Sequence, residues 1–282
     1  MLSYRHGFHA GNFADVLKHS LITLAVNALK QKDKPFVYID THAGAGKYSL
    51  KSKFAQNTGE YRQGIGRLWG IDNRPEEIKD YLAAVREENS GRQLLCYPGS
   101  PRLVRRLARP QDRLQLSELH SSDYEQLREL FVADKQVILA KEDGLQNLNK
   151  KLPPIQRRAL ILIDPSYEVK SDYQRVVETL LGAYRRFATG IYALWYPVIQ
   201  RQNTEKLMQS LKATGVTKQL RIEQCIEADR PMRGMTGSGM LFINPPWQLQ
   251  KQADVLLPWL NQTIADGRGT WKVEWLVPEI VK

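Results

Sequence analysis

Hydrophobic and polar positions follow two rhythms along these 282 residues. Short apolar runs recur at 35–40, 113–118, 136–140, 159–164, 190–196, 218–226 and 239–244, and each reads as a strand. Between them, 15–30, 122–133 and 174–186 repeat their apolar residues every three or four positions, the period of an amphipathic helix. Strands alternating with helices predict an α/β fold, with helices on both faces of a seven-stranded, mostly parallel sheet. The last two runs are joined by an Arg-, Met- and Gly-rich loop over 228–238 with no helical pattern. They are therefore expected to pair antiparallel, giving an antiparallel edge strand on an otherwise parallel sheet. The tail reads as a helix over 252–266 and a short strand over 270–277.

One interval is too long for a single crossover. Residues 41–112 separate the first strand from the second, and within them 75–88 reads as a helix with proline and then acids in its first turn. Ser100-Pro101 predicts a further helix start, with serine as the cap. The whole chain, 1–282, is expected to be one domain, with 50–95 an inserted helical subdomain.

Chemistry collects where the strands stop. The first runs into Asp40-Thr41-His42-Ala43-Gly44-Ala45-Gly46, whose glycines let backbone approach a ligand closely. A phosphate-cradling loop for ATP would need glycine at 41 and Ser or Thr at 48, where Thr41 and Tyr48 stand. A dinucleotide fingerprint would need glycine at 49, where Ser49 stands. A loop for S-adenosylmethionine (SAM) remains, and its cationic sulfonium would favour nearby carboxylates such as Asp40. Glu118 ends the second strand and could hold ribose hydroxyls, with Asp72 a rival that no good strand precedes. Asp143-Gly144 follows the third and could accept from an adenine amine. The most hydrophobic run ends in Asp164-Pro165-Ser166-Tyr167: an acid, a stiffened turn with its carbonyl, and a flat ring. Together they suit a planar base bearing an amino group. Taken singly, each of these acids also reads as a helix cap or an ordinary turn residue.

Composition narrows the partner. The formal net charge is +11, and Arg102, Arg105, Arg106, Arg109 and Arg113 point toward phosphate contacts. Two cysteines provide neither a disulfide framework nor a zinc cluster. No apolar segment approaches the ~20 residues that cross a bilayer, and the N-terminus lacks the apolar core of a signal peptide, so a cytoplasmic, non-membrane protein is expected. Tyr4, Arg5, His6, Phe8, His9, Lys18 and His19 crowd the N-terminal region. His6 and His9 match no strong metal spacing, and residues 1–12 read as a flap able to contact nucleic acid. Trp195-Tyr196-Pro197 is taken as core or cleft wall. Asn244-Pro245-Pro246-Trp247 looks like an amino-methylating motif in isolation, but is read as the end of the final strand because it lies beyond the Asp164 turn.

The N-terminal Leu-Ser-Tyr-Arg-His-Gly-Phe-His-Ala-Gly-Asn, the Asp-Thr-His-Ala-Gly-Ala-Gly loop, the Asp-Pro-Ser-Tyr turn and the late Trp-Leu-Val-Pro-Glu together resemble the RlmJ family of bacterial 23S rRNA adenine-N6 methyltransferases. The resemblance covers essentially the whole chain. It implies a Rossmann-like SAM-dependent methyltransferase fold with SAM as methyl donor and no metal. It implies SAM contacts from His19, His42, Ser100, Glu118, Asp143, Gly144 and Asp164. Asp164, with Pro165 and Tyr167, would be catalytic, with the ring stacking on the base. Tyr4, His6 and Lys18 would meet the substrate, 23S rRNA in naked or early-assembly form, and no obligate protein partner is expected. The family turn usually carries a second proline where Ser166 stands, which bears on turn rigidity and rate. Competing classes are a DNA adenine-N6 methyltransferase, a non-catalytic nucleic-acid-binding protein aiding use of external DNA, and an NAD-dependent oxidoreductase disfavoured by Ser49.

Overall fold

A computed structural model describes residues 6–229 and 234–279. Helix α1 (Phe13–Lys30) leads into β1 (Val37–Asp40), and a long excursion follows through β2 (Lys47–Ser49), α2 (Lys53–Thr58), α3 (Ile65–Leu68), α4 (Glu76–Glu87), β3 (Cys96–Pro98) and α5 (Ser100–Leu107). Regular alternation then resumes with β4 (Arg113–Ser117), α6 (Ser121–Phe131), β5 (Val137–Ala140), α7 (Gly144–Asn147), β6 (Ala159–Ile163), α8 (Asp172–Arg186), β7 (Ile191–Val198) and α9 (Arg201–Ala213). The chain closes with β8 (Gln219–Cys225), β9 (Gly237–Ile243), α10 (Leu249–Ala265) and β10 (Thr270–Val277).

The main sheet has eight strands in the order β5-β4-β1-β6-β7-β9-β8-β10. The first five are parallel. β9 runs antiparallel to both its neighbours, and β10 to β8. This is the mostly parallel α/β sheet expected, with two differences. The strand over 270–277 joins the sheet as its eighth member, at the edge beside β8. The antiparallel β9 lies inside the sheet, between β7 and β8, not at an edge. Burial gives the reason: every residue of β9 is buried, so the strand is covered on both sides.

Strand alternation divides the core into two layers. Leu160 and Leu162 of β6 pack with Tyr38, α1, α4, α5 and α10 on one face, while Ile161 and Ile163 pack with Val37, Ile39, α8 and α9 on the other. Burying each such side chain contributes roughly 1.5–3 kcal/mol. α1 is central to this arrangement, because almost its whole circumference is covered. Asn12 fixes where it starts, its side chain accepting from the Asp15 amide at 3.0 Å.

The excursion between β1 and β4 is largely helical, and its Ile65, Leu68, Ile78, Tyr81, Leu82 and Val85 join the α1 layer of the core. It also contains the antiparallel pair β2–β3, three residues per strand and too short to show a period-two pattern. At α5 the cap is Gly99, not Ser100. The Ser100 hydroxyl donates instead to Asp40 at 2.7 Å. The arginines around α5 also depart from expectation. Arg102 and Arg106 pair with buried Glu88, Arg105 with Asp134 and Arg109 with Asp112. Arg113 donates to the Pro110 and Asp112 carbonyls. This cluster ties elements of the chain together and is not a free phosphate-binding stripe.

Candidate active site

Because β5, β4, β1 and β6 are adjacent and parallel, their C-terminal ends share one rim, and a cavity of about 310 Å³ opens there. The glycine loop after β1 forms its floor. Gly44 and Gly46 take the left-handed backbone at φ 61° and 75°. The Gly44 amide donates to Glu118 Oε2 at 2.8 Å, and the His120 amide to Oε1 at 2.6 Å. Glu118 therefore fastens the loop while lining the cavity, and its burial pushes its carboxyl up. Gly144 opens α7 against the same loop. A Cβ at this position would lie 2.0 Å from the Thr41 carbonyl oxygen, so only glycine fits without displacing the floor.

α1 supplies the opposite wall. Asp15 Oδ2 accepts from His6 Nε2 and from the Gly11 amide, both at 2.9 Å. Its Oδ1 lies 2.9 Å from Lys18 Nζ, which reaches Asp164 Oδ2 at 2.7 Å. A chain of close polar contacts thus runs His6–Asp15–Lys18–Asp164 across the cavity. Burial alone would push Asp15 up, but His6 and Lys18 overcome it and hold the carboxyl well below its usual range. At Asp164 burial wins: the carboxyl rises to about 6 although Lys18 pulls it down. Burial lowers His19 to about 3 and His42 to about 4, so both imidazoles stay neutral at physiological pH. His19 Nδ1 lies 2.8 Å from Tyr97 Oη, and His42 Nδ1 2.7 Å from Thr41 Oγ1.

The cavity brings together His6, Lys18, His19, His42, Ser100, Glu118, Asp143, Gly144, Asp164 and Pro165. Tyr4 lies outside the described residues. Tyr167 is the exception among the described candidates, because it does not line the cavity. The Pro-Ser turn leaves it in the left-handed backbone (φ 54°), with its ring buried 4.7 Å from Tyr173 and its hydroxyl donating to the Trp195 carbonyl at 2.8 Å. Among the aromatic residues that line the cavity is Trp195, whose ring centroid lies 5.5 Å from Lys18 Nζ. Asp40 likewise does not face a sulfonium. It is fully buried and accepts from Tyr38 Oη (2.8 Å), Ser100 Oγ (2.7 Å) and the His42 amide (3.1 Å), an anchor beneath the loop. Asp143 caps α7 and pairs with Arg175 at 2.7 Å, so its side chain is engaged before any ligand arrives. Asp72 is exposed and off the lining. His6 takes Asp15 as its carboxylate partner, and His9 takes Glu60.

Polar residues of the lining not singled out from the sequence include Asp15 and Arg175, and Thr41 was named only as part of the glycine loop. Asp15 had a signal, since it precedes Lys18 by three positions on one helix face. Arg175 had none, because it matters through a contact with Asp143, remote in sequence.

The site suits SAM on its own geometry: a glycine loop whose left-handed turn brings bare backbone to the cavity, carboxylates on the lining, and neutral imidazoles beside them. Fold and cavity together define a Rossmann-like, SAM-dependent methyltransferase. Residues 33–277 match the family described as "Ribosomal RNA large subunit methyltransferase D, RlmJ". The chain is 54% identical over 280 residues to ribosomal RNA large subunit methyltransferase J of Escherichia coli K12, covering 99% of this chain and all of that one. It is 50% identical over 281 residues to the protein of the same name from Haemophilus influenzae, with coverage of 99% and 100%. A crystal structure of a Legionella pneumophila protein is similar at a TM-score of 0.88 and 38% identity, covering 95% of this chain and 98% of that one. The chain belongs to the RlmJ family of ribosomal RNA large subunit methyltransferases.

Proposed function

We infer that this chain transfers a methyl group from SAM to the exocyclic N6 amine of an adenine in 23S rRNA. It acts in the cytoplasm on naked or early-assembly RNA, without metal or obligate protein partner, as one domain (1–282) with 50–95 as a helical insert. The observation that carries the chemistry is Asp164 at the cavity end of β6, followed by Pro165 and held by buried Lys18. Membership of the RlmJ family supports the substrate.

His19, His42, Ser100, Glu118, Asp143 and Gly144 would hold SAM, with Glu118 and Gly144 shaping the pocket that receives it. When bound, SAM supplies an electrophilic methyl group on a sulfonium. The chain has to prepare the amine, whose lone pair is conjugated with the purine ring and poorly nucleophilic. The Asp164 carboxylate and the Pro165 carbonyl accept hydrogen bonds from the amine and turn that lone pair outward. Positioning by preset acceptors does most of this work, and no strong base is needed. The amine nitrogen becomes acidic as its bond to the methyl carbon forms and the sulfur–methyl bond breaks, and its surplus proton passes through the Asp164 carboxylate to water. Trp195 offers the base a flat wall, and Tyr167 backs it through the hydrogen bond to the Trp195 carbonyl. His6 and Lys18 would close the substrate side, and the substrate contact expected of Tyr4 falls outside the described residues. Ser166, in place of the family's second proline, leaves a backbone able to form the same turn.

The test is incubation of the purified chain and labelled SAM with protein-free 23S rRNA, assembled large subunits and duplex DNA, followed by nuclease digestion. N6-methyladenosine should appear in the protein-free rRNA. Label in the duplex and none in rRNA would transfer the assignment to a DNA methyltransferase, and no SAM uptake by calorimetry would remove the enzyme reading altogether.

A further inference from the structure

The sheet has a second edge. At the N-terminal ends of β1, β6 and β7, a groove of about 600 Å³ runs between the end of α1 and the segments that enter β6 and β7. Four cations line it, Lys32, Lys34, Arg157 and Arg158, and no carboxylate does. Arg158 is anchored: its guanidinium donates to the carbonyls of Lys34 and, at 2.7 Å, of Leu29. Among the described residues, the side chains of Lys32, Lys34 and Arg157 are paired with no carboxylate. Asp33, the acid in the same loop, is fully exposed and lies 3.9 Å from Arg109 Nη1. Asp112 is buried and taken up by Arg109. The contrast with α5 is direct, because the arginines there are neutralised within the fold and the cations here are not.

We propose that this groove is a second RNA-binding surface, taking the phosphate backbone of an rRNA segment remote from the methylated adenine. The proposal rests on rRNA being the substrate. One strand of β6 separates the groove from the chemistry: Arg158 precedes it and Asp164 follows it, roughly 20 Å apart at the rise of a strand. A nucleotide in the cavity therefore cannot reach the groove, but a folded rRNA domain can touch both edges of the sheet. The groove also has apolar surface for sugar and aliphatic stems, from Leu29, Ala159 and Ile191. The Asn244 side chain donates to the carbonyls of Ala188 and Gly190, which flank the lining residue Thr189, and so holds the following turn at the groove's edge. That turn ends in Trp247, which is 82% exposed and available to stack on an unpaired base.

The test uses the full-length chain with Lys32→Ala, Lys34→Ala and Arg157→Ala combined, leaving Arg158 in its structural contacts. Binding to a long 23S rRNA fragment is measured by filter retention from 50 to 200 mM KCl, beside a short oligonucleotide carrying the target adenine. Each lost phosphate contact lowers the slope of log K against log salt by about 0.7–0.9, so the slope should fall by about 2–3 and affinity for the long fragment by about tenfold or more. The oligonucleotide should bind and be methylated as by the unaltered chain. A second variant, Lys32→Arg with Lys34→Arg, should keep the full slope. Unchanged affinity and slope in the alanine variant would overturn the groove as an RNA surface, including in favour of an acidic protein partner. Equal losses on both RNAs would overturn it too, by showing that the effect is not remote. Methylation of rRNA by the unaltered chain, measured in parallel, shows whether the functional reading stands independently of either result.

Discussion

Two strand ends in this chain look alike and do opposite things. Asp164-Pro165-Ser166-Tyr167 follows β6, and Asn244-Pro245-Pro246-Trp247 follows β9. Each is a polar residue after a fully buried strand, then proline, then an aromatic at the fourth position. β6 is parallel to its neighbours, so Asp164 arrives at the cavity rim beside the glycine loop. β9 is antiparallel, so Asn244 arrives at the other edge, where its side chain donates to the carbonyls of Ala188 and Gly190. A methyl-transfer signature in sequence is therefore only half a statement. The direction of its strand completes it.

Substitutions at the two strand ends should have very different effects. Asp164→Ala should lower the rate of methyl transfer by about 10²–10³-fold, the scale of losing one preset polar partner of the reacting group. SAM affinity by calorimetry should change far less. Full activity in this variant would return both motifs to equal standing.

Gly144→Ala should come next. Its Cβ would meet the Thr41 carbonyl at 2.0 Å, and overpacking of about 1–3 kcal/mol should raise the SAM dissociation constant by about 5- to 150-fold. An unchanged constant would show that the floor does not shape the donor pocket.

A pH profile sharpens the account of Asp164. Its carboxyl is raised by burial to about 6, so it loses acceptor capacity as pH falls through that value, and single-turnover rates should drop by about tenfold per unit below it. The neutral imidazoles of His19 and His42 add no limb between pH 5 and 8. For folding the sign is the reverse of a salt-bridged carboxylate. The folded chain holds this proton more tightly than the unfolded one, so the stabilising contribution is full below about 3.8 and is lost as pH rises to about 6. Asp15→Asn removes the anion on the far side of Lys18. The ammonium then acts more strongly on Asp164, and the acid limb should move below 6 while the rate falls by about tenfold. A limb that stays in place would leave Asp15 a merely structural residue.

The smallest effect belongs to the other strand end. Asn244→Ala puts a Cβ residue without a side-chain hydrogen bond at φ 52°, and should cost about 1–2 kcal/mol of stability in a denaturant melt while methylation of a short substrate is unchanged. A large loss of catalysis would mean that β9 reaches the site after all.

The strands of the main sheet and most long helices, though not α9, were legible in the chain because hydrophobic periodicity is a local signal. Residues 159–164 and 270–277 match β6 and β10 to within one residue. What stayed hidden was short or relational. β2 and β3 have three residues each, and Ser100 lost its expected cap to Gly99 because Asp40 takes its hydroxyl. Of the site, the rim acids were visible as strand ends and Lys18 through family resemblance. The turning of Tyr167 into the core and the buried link through Asp15 were not visible, because each depends on which remote segment packs against it.

The α/β alternation, the glycine loop, the placing of acids at strand ends and the excess of positive charge are written in the order of the residues, because all are properties of near neighbours. Which carboxylates face the cavity, which merely anchor it, and which arginines remain for a partner is settled by packing. A charge is neutralised or left available by what folds against it, and those partners lie far off along the chain, 146 positions for Lys18 and Asp164.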